Sequence, residues 1–317
     1  MIMSKYRTGL PQMGNKLFLT DGGLETTLIF HQGIELPCFA AFDLMQTAGG
    51  KQTLRDYYER YLAIAKARQM GFILEAPTWR ANRDWAEKLG YSRDALAAVN
   101  HECIELMHEL RRSHETPATP IVISGNLGPR GDGYDPGQVM APEAAEAYHA
   151  EQIGWLAETG VDMISAFTIT NIPEAIGIAR AAQKAGVPVV ISFTLETDGR
   201  LPTGESLRTA IEAVDTATQN APAYYMINCA HPTHFEAMLA EGGAWLKRLR
   251  GLRANASRRS HAELDAAPDL DDGDPAELGG EYRALRDRHG QFVVLGGCCG
   301  TDHRHVQAIS AACADRH

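Results

Sequence analysis

A chain of 317 residues has room for two average domains or one large α/β barrel. Its 44% hydrophobic and 22% charged residues suit a globular protein with a substantial core, and a net charge of −10 argues against general nucleic-acid binding, which needs a basic face. No apolar run approaches the roughly 18 residues of a membrane span, so none is expected. Met1-Ile2-Met3-Ser4-Lys5-Tyr6-Arg7 lacks the apolar segment of a secretory signal, and six cysteines are too few for a disulfide scaffold. Reduced thiols in the cytoplasm are the expectation.

Leu17-Phe18-Leu19-Thr20 reads as a short strand running into Asp21-Gly22-Gly23-Leu24-Glu25-Thr26. An acid and two glycines at a strand end make a tight turn with exposed backbone N–H groups. That turn either holds a carboxylate while Asp21 meets an amine, or is merely capped by Asp21. Leu54, Tyr57, Tyr58, Tyr61, Leu62 and Ala65 recur at helical spacing between about residues 52 and 69, as a core-facing stripe. Gly71 to Glu75 is a second strand, stopped by Pro77, with Trp79 as a pocket wall. Residues 92–112 read as a helix. His101-Glu102 is no metalloprotease motif, because Glu105 stands where a second His is required.

Ile121 to Ser124 is a third strand, followed by the glycine-rich Gly125-Asn126-Leu127-Gly128-Pro129-Arg130-Gly131. A helix over 142–159, a strand over 161–165, a helix over 173–185 and a strand over 187–193 come next, with Pro173 in a first helical turn and Gly186 ending that helix. Another helix spans about 206–218. Strand 224–228 then leads to Cys229, with His231 and His234 read as outer or solvent-facing groups. Leu252 to Ala256 is a weak strand. Residues 257–274 are polar and acid-rich, and read as a surface insertion or flexible loop. A helix over 276–289, a strand over 292–295 and a closing helix from Asp302 complete the chain.

The most informative stretch is Gly296-Gly297-Cys298-Cys299-Gly300-Thr301. Adjacent cysteines are poorly placed to bridge each other, but two thiolates fanning out from one turn can share a metal. Cys229 stands in a similar place, past its own apolar run. Three thiolates from two strand ends suit Zn²⁺ and leave a fourth position open for chemistry.

Eight strand candidates, each followed by a helix or by room for one, imply a parallel sheet with right-handed crossovers. Eight units in about 300 residues fit a single-domain (β/α)₈ TIM barrel over 1–317, with the acidic insertion near 257–274. No G-x-G-x-x-G follows the first strand, which weighs against a dinucleotide fold. In a barrel all eight C-terminal strand ends share one face. Asp21, Glu75, Cys229, Cys298 and Cys299 all lie at such ends.

Asn228-Cys229 together with Gly296-Gly297-Cys298-Cys299-Gly300-Thr301 resembles the homocysteine S-methyltransferase family. The likeness extends through Asp21-Gly22-Gly23, Gly125-Asn126-Leu127-Gly128-Pro129 and Ile191-Ser192-Phe193-Thr194. The resemblance implies a zinc-dependent barrel that methylates the thiol of homocysteine to give methionine. It also implies Zn²⁺ on Cys229, Cys298 and Cys299, and the amino-acid end held by Asp21 and the N–H groups near Gly22 and Gly23. Phe167 stands where many members carry an amine-binding Glu, which leaves Glu75 and Glu196 as replacement carboxylates. A donor with a cationic sulfonium or ammonium centre suits a pocket of Trp79, Phe167 and Glu75. Relatives use several such donors, of which S-methylmethionine or S-adenosylmethionine is the expectation here and betaine next. A different acceptor thiol, a silent thiol- or zinc-binding relative, a structural zinc site and a homo-oligomer all stay open at this level.

Overall fold

The computed structural model describes residues 3–267 and 269–314. Met1 and Ile2 of the N-terminal stretch and Pro268 of the 257–274 segment lie outside the described residues. Eight parallel strands follow one another around a closed barrel. They are β1 (Phe18–Leu19), β2 (Gly71–Glu75), β3 (Ile121–Leu127), β4 (Met163–Ile169), β5 (Val189–Thr194), β6 (Pro222–Asn228), β7 (Leu249–Ala254) and β8 (Val294–Gly297). Closure is made by Phe18, which is in register with Gly71 on one side and Val294 on the other. The expected (β/α)₈ barrel is the fold.

The surrounding helices are α1 (Ala48–Ala67), α2 (Arg83–Lys88), α3 (Arg93–His114), α4 (Pro142–Glu158), α5 (Ile172–Lys184), α6 (Leu207–Thr218), α7 (Pro232–Ala240), α8 (His261–Asp265), α9 (Pro275–Arg288) and α10 (His303–Cys313). The apolar stripe read for α1 is the buried one, with Leu54, Tyr57, Tyr58, Tyr61, Leu62 and Ala65 all inside. Caps place the starts. The Ser92 side chain accepts from Ala95 N–H and Asn171 from Glu174 N–H, each satisfying a donor that the first turn leaves without a partner. The N-terminal end of the barrel is closed by the turn Pro11–Met13, whose buried Gln12 reaches Met163 Sδ and Tyr224 Oη. No helix among the described residues is long and apolar enough to cross a membrane.

Several boundaries differ from expectation for physical reasons. Strand β7 begins at Leu249, three residues before the expected start. Its arginines disguise it: Arg250 snorkels to the carbonyls of Gln12 and Gly14, and Arg253 finds buried partners. Strand β8 runs through Gly296 and Gly297 rather than ending before them. A Cβ on Gly296 would overlap the Thr20 side chain, and one on Gly297 the Thr301 side chain, so these glycines permit close packing. The sharp turn falls at Gly300, with φ +77°. Pro232 lies between the two histidines. It opens α7, with His231 as its cap. Within 257–274 the structure places α8 and buries Ser257 and His261.

Candidate metal centre at the barrel mouth

Cys229 follows β6 directly, and Cys298 and Cys299 follow β8. The strand between them is β7, in register with both: Arg253 lies opposite Asn228 on one side and Gly296 on the other. Cys229 N–H donates to Arg253 O at 3.1 Å, and Cys298 N–H donates to Ala254 O at 2.8 Å. The backbone thus delivers three sulfurs to one spot, all within 4.8 Å of one another. Cys229 Sγ and Cys299 Sγ are 3.9 Å apart, against about 3.8 Å for two sulfurs on one tetrahedral Zn²⁺ with bonds near 2.3 Å. The Cys229 and Cys298 sulfurs are paired, with Cα atoms 5.5 Å apart.

Strain marks the same place. Cys229 has φ +51°, and Thr168, near the end of β4, has φ +61° at a shift in the β4–β5 register. A β-branched residue in the left-handed region costs on the order of 1–3 kcal/mol and needs support. Asn228 supplies it. Its Oδ1 accepts from Thr168 N–H at 3.0 Å and from Ser192 Oγ at 2.7 Å, and its Nδ2 donates to Thr168 Oγ1 at 2.9 Å. The same Nδ2 faces Cys298 Sγ at 3.9 Å. Tyr134, on the loop after β3, brings its hydroxyl to 3.1 Å from Cys299 Sγ and 3.6 Å from Cys229 Sγ. Its ring stacks on His261 of α8, with centroids 3.9 Å apart.

Beside the sulfurs lies a buried polar group. Asp21 Oδ1 accepts from Arg253 Nη1 at 2.7 Å and Asp21 Oδ2 from Tyr57 Oη at 2.9 Å. Arg253 also donates to Thr20 Oγ1 and Gly22 O, and Phe167 covers its guanidinium with the ring centroid 4.9 Å away. Burial lowers the Arg253 pKa, but Asp21 and then Glu75 outweigh it, so the group stays charged above its ordinary value. Glu75 is buried at the end of β2. Its Oε1 accepts from Ser165 Oγ, and its Oε2 has no hydrogen-bond partner among the described residues. Burial pushes its carboxyl up to about 7. Trp79 donates from Nε1 to Phe167 O at 3.3 Å and stacks on the Arg80 guanidinium at 4.1 Å.

Glu196 sits in the turn after β5, where its N–H donates to Arg200 O, with Asp198 and His234 nearby. Arg253, Tyr134 and the bracing role of Asn228 were not read from the sequence. Arg253 left a trace, as a charged residue near the end of a strand.

The pattern of a family described as Homocysteine S-methyltransferase matches residues 18–313. The chain belongs to the homocysteine S-methyltransferase family. Among its relatives, Homocysteine S-methyltransferase 4 of Zea mays is 23% identical, covering 93% of this chain and 88% of its own length. Selenocysteine Se-methyltransferase of Brassica oleracea var. italica is 25% identical over 70% of this chain and 68% of its own. In fold, the chain is similar to the homocysteine methyltransferase MmuM from Escherichia coli. Its oxidized form aligns with TM-score 0.72 at 19% identity over 95% of this chain and 97% of MmuM, and its metallated form with TM-score 0.69 at 17% over 96% and 98%. This member of the homocysteine S-methyltransferase family is therefore a thiol methyltransferase on a (β/α)₈ barrel.

Proposed function

We propose that the protein is a zinc-dependent S-methyltransferase that moves a methyl group from a small sulfonium or ammonium donor to a small thiol. The observation that carries this reading is the convergence of Cys229, Cys298 and Cys299, three soft ligands at the end of the barrel where such enzymes work. Those three residues fit Zn²⁺ and would hold it. The bound metal lowers the pKa of an entering thiol from its ordinary ~8.5, so that the nucleophilic thiolate exists at neutral pH. The chain's own groups do the rest. Asn228 and Tyr134 place N–H and O–H groups against the sulfurs and steady them, and the braced backbone at Thr168 and Cys229 fixes where the acceptor sulfur meets the methyl carbon. Trp79, one face of which carries the Arg80 guanidinium, is the aromatic wall for a cationic donor.

Homocysteine, giving methionine, is the acceptor to which family membership points, and S-methylmethionine or S-adenosylmethionine ranks before betaine as donor. A second reading, a different thiol, is favoured by one observation: Asp21 is already engaged by Arg253. The test is a methyl-transfer screen of several thiols against these donors with zinc supplied, read by mass spectrometry of the methylated thiol. A single zinc per chain and turnover of at least one pair are expected. Zinc held by four protein ligands and unaltered by any thiol would sink the reading.

A further inference from the structure

An acceptor thiol at the sulfur cluster also needs a partner at the end away from its sulfur. Arg253 stands at the point that matters. It lies opposite Asn228 on β6 and Gly296 on β8, between the strand ends that carry the three sulfurs. Its carbonyl binds the N–H of Cys229, and that of the next residue binds the N–H of Cys298.

Asp21 is poorly suited to receive an ammonium. Both of its oxygens are engaged, one by the guanidinium at 2.7 Å and one by the Tyr57 hydroxyl at 2.9 Å. An arriving ammonium would share that carboxylate with a buried like charge, at a cost that low dielectric magnifies. Arg253 has donors to spare. Of its five N–H groups, three bonds run to Thr20, Asp21 and Gly22. The Nε–H and a second Nη2 proton have no protein acceptor among the described residues, and the side chain keeps a tenth of its surface exposed. Both belong to the planar guanidinium, the group that grips carboxylates. Phe167 covers a face of the guanidinium, whereas the N–H bonds point outward in its plane.

We propose that the acceptor is a small thiol whose far end is a carboxylate received by Arg253, and that no ammonium binds at Asp21. The proposal rests on the thiol-methyltransferase reading and narrows its acceptor to mercaptoalkanoates, for which homocysteine is the aminated analogue. The nearby acids are consistent with it. Glu75 and Glu25 are both pushed up to about 7, chiefly by burial, so near neutrality each takes up a proton readily when another negative charge arrives.

The test measures binding of three thiols to the zinc-loaded protein by calorimetry, which needs no methyl donor. The three are homocysteine, 4-sulfanylbutanoate (which lacks only the amine) and 3-aminopropane-1-thiol (which lacks only the carboxylate). Removing the amine is expected to change affinity by no more than about 3-fold, while removing the carboxylate weakens it by about 100-fold, the scale of a lost charge-assisted hydrogen bond. In the charge-balanced double variant Asp21→Asn/Arg253→Gln, the preference for 4-sulfanylbutanoate over 3-aminopropane-1-thiol should collapse to within about 5-fold. The wild-type comparison stands even if that variant fails to fold. The proposal is overturned if 4-sulfanylbutanoate binds far more weakly than homocysteine, which would place an ammonium at Glu75 or Asp21. It is equally overturned if the two truncated thiols bind alike. Silence from all three thiols would remove the thiol-binding reading itself and this proposal with it, a result distinct from either preference.

Discussion

Arg253 of β7 reaches over β8 to pair with Asp21 at the end of β1, 2.7 Å from nitrogen to oxygen. The strand that it crosses contributes Gly296, and the space where a Gly296 Cβ would stand is filled by Thr20 Oγ1, itself 2.8 Å from the same guanidinium. A glycine, a hydroxyl and an ion pair thus form one packed unit beside the sulfurs. It explains why the Gly-Gly-Cys-Cys motif opens with glycine inside a strand, where that residue is normally unfavourable.

Gly296→Ala tests that unit. A methyl group there must displace Thr20 and with it a partner of Arg253, so destabilisation of about 3 kcal/mol is expected, the upper range for overpacking a core. Urea unfolding of the variant against the parent chain measures it. A change below about 1 kcal/mol would mean that the strands give way freely.

Cys298→Ser separates a catalytic metal from a structural one. The variant should retain less than about a tenth of the wild-type zinc while its thermal midpoint stays within a few degrees, because an open three-cysteine site is not what holds the barrel together. Metal analysis with circular dichroism reads both quantities. Unfolding on loss of zinc would assign the site a structural role.

Asn228→Ala removes the brace on Thr168. Two hydrogen bonds to Thr168 and one from Ser192 are lost, and a backbone at φ +61° is left without support. Stability should fall by about 2–3 kcal/mol, and thiol affinity of the zinc-loaded protein should fall at the same time. Denaturant melts and calorimetry check the pair of effects. Stability loss with unchanged thiol affinity would show that the brace does not position the site.

Glu75→Gln tests the charge of the pocket through pH. The Glu75 carboxyl titrates at about 7 in the folded chain against 4.5 for the unfolded reference, mainly through burial. A raised pKa contributes stability that is fully present below the unfolded value and is lost as pH rises through the folded value. The amide cannot ionise, so the variant should match the wild type near pH 4.5 and exceed it by about 3 kcal/mol above pH 8, from roughly 1.4 kcal/mol per unit. Thermal melts across that range decide the matter. Parallel stability curves would place Glu75 in contact with water.

The period of hydrophobic residues and the punctuation by Gly and Pro were enough for the barrel, because burial and capping are local demands that each segment must meet by itself. The Tyr57, Tyr58 and Tyr61 stripe and the Pro173 start had to look as they do. Cys229, Cys298 and Cys299 were legible for a related reason: few other uses exist for adjacent cysteines at a strand end. What only the tertiary structure decided is which polar groups meet. Arg253 and Asp21 are 232 positions apart along the chain, and Tyr134 reaches Cys299 across 165. Such pairings follow from barrel closure and strand register, which no local pattern encodes. In isolation Asp21 reads either as a turn cap or as a carboxylate for an amine. Once β8 closes against β1, it is half of an ion pair.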